Sequence, residues 1–221
     1  MKSAYLIGLL APLAIGLAGC SSTRTEIVQV PPRMVLDRTQ TIGIVRFGVD
    51  GGRGHGEEAN VTAKFIEAIQ HGQPGVPIVE LGSSSDVLSS IGKSQLNAEA
   101  LQEIGKKFNV DAVIVGSIEL KESKPKVNVN LSQGLSSLQA QIRLDGHLEA
   151  KIVTTARGAS VWTGSSGRWI NLAQASGSVI GIGSLNVPDR DRQYEKLISD
   201  MVNDASRDFY PTCEKHEVAV K

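Results

Sequence analysis

The clearest periodic signal in the chain lies over residues 138–152. Leu138, Ala140, Ile142, Leu144, Gly146, Leu148, Ala150 and Ile152 hold the even positions, while Gln139, Gln141, Arg143, Asp145, His147, Glu149 and Lys151 hold the odd ones. Successive strand residues point to opposite faces, so a period of two predicts one long strand with one face on a core and the other in solvent. Thr155, Ala156, Arg157 and Gly158 then turn the chain back toward Val161 and Trp162, a hairpin partner. The β-branched run 41–47, bounded by glycines, predicts a buried strand, and a further strand over 76–81 opens at Pro77. Residues 110–118 are apolar almost throughout, as a central strand covered on both faces requires.

Helical spacing accounts for the segments between. Val61, Phe65, Ala68 and Ile69 follow Glu57 and Glu58, which suit a first turn. Ser85 or Asp86 caps a short helix through Ile91, and Asn97 caps a helix over 98–108 that ends at Asn109. A last helix opens at Pro188, buries Tyr194, Leu197, Ile198, Met201, Val202, Ala205 and Phe209, and stops at Pro211. This order predicts an α/β protein with α+β character. Its parts are a small mixed β-sheet flanked by helices, a long antiparallel hairpin in the second half and a C-terminal amphipathic helix.

The N-terminus reads differently. Met1 and Lys2 precede an uncharged apolar run over residues 4–17, which leads into Leu17-Ala18-Gly19-Cys20. That pattern is a secretory signal peptide, and its run is shorter than the roughly 20 residues of a spanning helix. The tetrapeptide resembles the lipobox of bacterial lipoproteins, which implies cleavage between Gly19 and Cys20 and acylation of Cys20, for instance with palmitate. Several acyl chains anchor a protein stably where one does not. Ser21 stands where an aspartate, by resemblance to enterobacterial lipoproteins, favours inner-membrane retention; the resemblance therefore implies the outer membrane, on its periplasmic face. The expected organisation is a signal peptide over 1–19, a lipidated cysteine with a flexible tether over 20–40, a folded domain over 41–210 and a polar C-terminal tail over 211–221. Pro31 and Pro32 stiffen the tether.

Composition removes several classes. With 23 basic against 23 acidic residues and 4% aromatics, the chain has neither the charge nor the stacking surface of a nucleic-acid binder. Gly51, Gly52, Arg53, Gly54, His55 and Gly56 form a glycine loop between strand and helix, but it lacks the lysine of a phosphate-binding loop and reads as a surface loop. His147 sits on the polar face between Asp145 and Glu149, a solvated row of charge pairs. His55 and His71 stand beside glycines in loops. Cys213 and His216 offer two ligands where a zinc site needs more, so Cys213 is read as a dispensable tail cysteine. No catalytic, cofactor-binding or metal residue is assigned, and no cofactor is expected.

Phe108-Asn109-Val110-Asp111-Ala112-Val113-Ile114-Val115-Gly116-Ser117, followed by the long strand and the hairpin through Ala156-Arg157-Gly158-Ala159-Ser160-Val161-Trp162, resembles the CsgG and LpoB group of outer-membrane lipoproteins. Here Arg157-Gly158 replaces the group's usual Thr-Gly turn. The resemblance spans roughly 41–210 and implies a small mixed sheet flanked by helices. It also implies function: a lipid-anchored, non-enzymatic adaptor or envelope-assembly component that binds periplasmic protein. The alternative it offers is a ring-forming secretion channel of identical subunits, each inserting two β-hairpins in the membrane. An enzyme of unknown type comes third. Residues 123–139 and 164–187 are the segments on which the first two readings divide. Val127, Val129 and Leu131 alternate with Asn128 and Asn130 in the first, and an uncharged, glycine-rich core fills the second.

Overall fold

The computed structural model describes residues 23–52, 56–124, 126–132, 135–178 and 189–219. In chain order the elements are β1 (Thr23–Val30), β2 (Ile42–Val45), β3 (Gly48–Asp50), α1 (Glu57–Gly72), β4 (Ile78–Gly82), α2 (Ser84–Ser90) and α3 (Ala98–Phe108). There follow β5 (Ala112–Glu122), β6 (Lys126–Ser132), β7 (Leu135–Thr154), β8 (Ser160–Ser178), α4 (Arg190–Ala205), a 3-10 turn (Arg207–Phe209) and β9 (Thr212–Ala219). The fold class is the α/β arrangement that the periodicities predict.

The chain divides into two units. One holds β1 and β9, paired as a two-stranded sheet; the other spans Pro31–Thr212. In the larger unit, seven strands form a mixed sheet. β5 and β7 are its antiparallel centre. β2 and β3 run parallel to β5 along its other edge, β4 runs parallel outside β2, and β8 follows β7 antiparallel along almost its whole length.

Two apolar layers hold this sheet. On one face α1 and α4 bury Val61, Phe65, Ile69, Leu197, Ile198 and Met201 against Ile44, Ile114, Leu144 and Leu148. The opposite face is smaller: Val87 of α2 and Leu101 and Ile104 of α3 pack on Val45, Val110 and Val113. The even-numbered residues of β7 face α4, so the period of two seen in the sequence is the imprint of one covered face. Aromatic rings tie the first layer together. Phe47 lies 5.1 Å from Phe65, Phe65 6.2 Å from Trp162, and Trp162 4.6 Å from Phe209, all tilted.

Helix ends follow local chemistry. Asn97 Oδ1 accepts the Ala100 N–H at 2.9 Å, and Asn109 closes α3 in the left-handed region at φ 51°. For α2 the cap is Ser83, ahead of the expected Ser85 or Asp86, accepting from Asp86 N–H at 3.1 Å. α4 starts at Arg190 behind Asp189; Pro188, expected to open it, lies outside the described residues.

Three stretches differ from expectation. Residues 48–50, between the expected strand and the glycine loop, form β3 because Gly48, Val49 and Asp50 pair with Ser117, Ile118 and Glu119. The 20–40 stretch, read as a tether, holds β1 and then a packed segment. Gln73 Oε1 accepts the Leu36 N–H at 2.6 Å, and Leu36 itself is buried. The 211–221 stretch, read as a tail, supplies β9, the partner of β1. β1 and β9 carry Thr23, Thr25, Ile27, Val28, Val30, Thr212 and Val218, residue types that favour strands wherever a partner is within reach.

Candidate functional site

Glu122 ends β5 beside the first turn of α4. The Glu122 carboxylate accepts the Tyr194 hydroxyl at 2.5 Å and pairs with the Arg190 guanidinium, which fixes the first turn of α4 at this level. Burial, reinforced by the Glu122 charge, pushes the Tyr194 phenol well above its ordinary range. The strand then breaks step: Ser123 N–H donates to the Arg143 carbonyl at 2.7 Å and Ser123 Oγ accepts the Arg143 N–H at 2.9 Å. β6 resumes alongside β7 with the register moved by one residue, Glu122 standing opposite Leu144 but Lys126 opposite Gln141.

Beyond that step β6, β7 and β8 make a three-stranded ladder with two unlike faces. One set of register partners is Val127–Ala140–Ala175, Val129–Leu138–Gly177 and Leu131–Ser136. The other is Lys126–Gln141–Gln174, Asn128–Gln139–Ser176 and Asn130–Ser137–Ser178. By residue type the first set of partners is uncharged and mainly apolar, and the second is Asn, Gln and Ser with Lys126 at its start. Leu138 and Ala140 of the first set continue the even-numbered positions of β7 that α4 covers further back. Of the two segments singled out in sequence, 123–139 therefore holds a hairpin joined to the central strand, and 164–178 is the strand flanking it. Residues 179–187 lie outside the described residues.

The opposite face of the sheet is charged and self-paired. Arg143 pairs with Asp145, Lys121 with Glu119, and His147 Nε2 lies 3.3 Å from Glu149 Oε1. The Arg143 guanidinium also covers the Trp169 ring at 4.6 Å, leaving that indole 54% exposed at the base of the ladder. His147 is thus one member of a paired, solvent-facing row. Among the described residues no group of three or more His, Cys, Asp and Glu side chains could hold a metal.

The remaining residues singled out in sequence are dispersed. Gly19 and Cys20 lie outside the described residues, as do Arg53, Gly54 and His55 of the glycine loop. His71 is in the last turn of α1, 6.0 Å from the Tyr210 ring, rather than in a loop. Cys213 is an exposed free thiol within β9. Sequence spacing missed the Glu122–Tyr194–Arg190 cluster, whose members lie 68 and 72 positions apart along the chain with no local pattern to link them.

No protein-family model matches the sequence, and no curated protein matches it. Among solved structures the chain is similar to the PelC dodecamer from Paraburkholderia phytofirmans, at 11% identity and TM-score 0.43, covering 84% of this chain and 97% of that one. It is also similar to the LpoB C-terminal domain from Salmonella enterica, at 14% identity and TM-score 0.37, over 58% of this chain and 82% of that one. A third similar structure is lipoprotein GNA1162 from Neisseria meningitidis, at 11% identity and TM-score 0.32, over 73% and 96% of the two chains.

Proposed function

We propose that this chain is a lipoprotein of the bacterial outer membrane, anchored on the periplasmic face through Cys20, and that it works without catalysis by binding protein. The anchoring half rests on the apolar run and the Leu17-Ala18-Gly19-Cys20 tetrapeptide. One observation carries the binding half: the β6–β7–β8 ladder continues past Glu122, and one of its two alternating sets of register partners is uncharged and mainly apolar. A sheet face of that kind gains by burial against another surface, at about 25 cal/mol per Å² of apolar area.

A ring-forming channel component is the second reading, and the same ladder favours it. The alternation of residue types along the ladder is that of a barrel wall, whose tilted strands take about 9–11 residues, a length that the 20 residues of β7 and the 19 of β8 exceed and the 7 of β6 do not reach. The experiment that separates the readings is the mass of the lipidated full chain after mild detergent extraction. A monomer or dimer supports the adaptor; a ring of several copies supports the channel. The anchor is tested by Cys20→Ala, which is expected to leave an uncleaved precursor that takes up no labelled fatty acid. Label entering the variant overturns the anchoring reading.

A further inference from the structure

The connections leaving β2 and β4 part to opposite faces of the sheet. After β2 and β3 the chain enters α1, which packs on the larger apolar layer; after β4 it enters α2 and α3, which pack on the smaller. In open α/β sheets such a divergence between neighbouring parallel strands opens a crevice at their carboxyl ends. Here it holds a cavity of about 410 Å³, lined among others by Arg46, Glu58, Ser83, Ser84, Leu96 and Val115. That volume falls within the roughly 300–1,000 Å³ of small-molecule sites.

Arg46 is placed there by its backbone and is under-committed through its side chain. Its N–H donates to the Gly82 carbonyl at 2.8 Å, tying the two strand ends together. Its Nη2 lies 3.6 Å from Glu80 Oε1, an ion pair too long for a hydrogen bond, and its Nε is buried without an acceptor among the described residues. A guanidinium presents a fork of donors that fits a carboxylate bidentately. Glu58, exposed on the first turn of α1, brings the opposite charge to the same cavity. The serines that open α2 line the cavity as well. Ser83 is engaged with Asp86 and Ser85, whereas Ser84 makes no side-chain hydrogen bond among the described residues. Leu96, 39% exposed, and Val115 give the cavity an apolar side.

We propose that this crevice binds a zwitterionic ligand, an amino acid or short peptide. Arg46 takes its carboxylate, Glu58 its ammonium, and Ser84 a polar group between them, while Leu96 and Val115 meet its apolar part. The site stands apart from the anchoring and protein-binding reading and survives the failure of either.

The test uses the full chain in detergent and tri-alanine as the probe, with N-acetyl-tri-alanine and tri-alanine amide as blocked controls, followed by amide chemical shifts. Tri-alanine is expected to move the signals of residues 46–48, 83–85 and 115–116. The amide is expected to bind at least tenfold more weakly, and the acetylated form several-fold more weakly. Arg46→Met is expected to abolish binding, and Arg46→Lys to restore part of it. Glu58→Gln is expected to erase the difference between free and acetylated peptide. Thermal unfolding shows whether each variant is folded, and Ser84→Ala serves as a milder probe should Arg46→Met unfold. Failure of tri-alanine to bind, equal binding of all three peptides, or shifts elsewhere on the molecule would overturn the proposal.

Discussion

The side chain of Gln73, which closes α1, holds Leu36 in place: its Oε1 accepts the Leu36 N–H at 2.6 Å. The Gln73 amide nitrogen meanwhile donates to the Met34 carbonyl and, at 3.3 Å, to the Phe209 carbonyl. One buried side chain thus joins the segment entering the domain to the turn that leaves it. Met34 N–H, donating to the Asp208 carbonyl at 3.0 Å, completes the clasp. Gln73→Ala leaves these backbone groups without partners and is expected to cost about 1–3 kcal/mol in urea unfolding. It is also expected to expose Arg38 to faster tryptic cleavage; unchanged stability and unchanged proteolysis would contradict the clasp.

Gly116 marks a close approach inside the sheet. A Cβ there would lie 2.2 Å from Phe47 Cε1 and 2.7 Å from the Glu149 carbonyl oxygen, and neither a fully buried ring nor a paired backbone can yield. Gly116→Ala is expected to destabilise by about 1–3 kcal/mol. Gly48→Ala, whose nearest neighbour would be Ser117 Cβ at 3.9 Å, should stay within about 0.5 kcal/mol of the parent in the same assay.

Alkaline stability depends on Tyr194. Burial first, and then Glu122, raise its phenol above the ordinary value of 10.0, so the folded state keeps that proton to higher pH than the unfolded chain. The resulting stability is full below about pH 10 and is lost as pH rises through the folded-state value. Tyr194→Phe is expected to be less stable near pH 8 by about 1–2 kcal/mol and to lose less between pH 10 and 11. A residual slope belongs to Tyr210, also raised by burial. Parallel urea profiles of parent and variant from pH 8 to 11 would refute the assignment.

Acid stability has a contributor in Asp204. Its carboxylate accepts from Arg168 Nε at 2.5 Å and from Ser166 Oγ at 3.3 Å, and Arg168 holds it below the ordinary value of 3.8. A depressed carboxylate stabilises the fold above its unfolded-state value and loses that contribution as pH falls through the folded-state value. Asp204→Asn is expected to flatten the stability profile below pH 4. The effect at neutral pH should be under about 1 kcal/mol and smaller in high salt, because the pair is partly exposed.

How far each element was legible follows from how local its cause is. The helix Ala98–Phe108 has the bounds that Asn97 and Asn109 announce, because both caps bond within one turn of the residues they close. The long strand was legible from its alternation, yet it starts at Leu135, earlier than the alternation suggests, because β6 and β8 extend the ladder. β3 carries only three residues between glycines and owes its existence to β5. The crevice around Arg46 was not legible at all: Gly82, Glu58 and Val115 reach it from separate elements.

The periodic elements and the face each buries are written along the chain, because backbone period and neighbouring side chains act over a few residues. Tertiary structure alone decided which ends meet. It paired β1 with β9, put Glu122 beside Tyr194 and Arg190, set Gln73 against Leu36 and Phe209, and opened a cavity where two connections part to opposite faces. Those contacts join residues far apart in the chain, where no local spacing records the partner. Only closure of the whole sheet under its helices selects them.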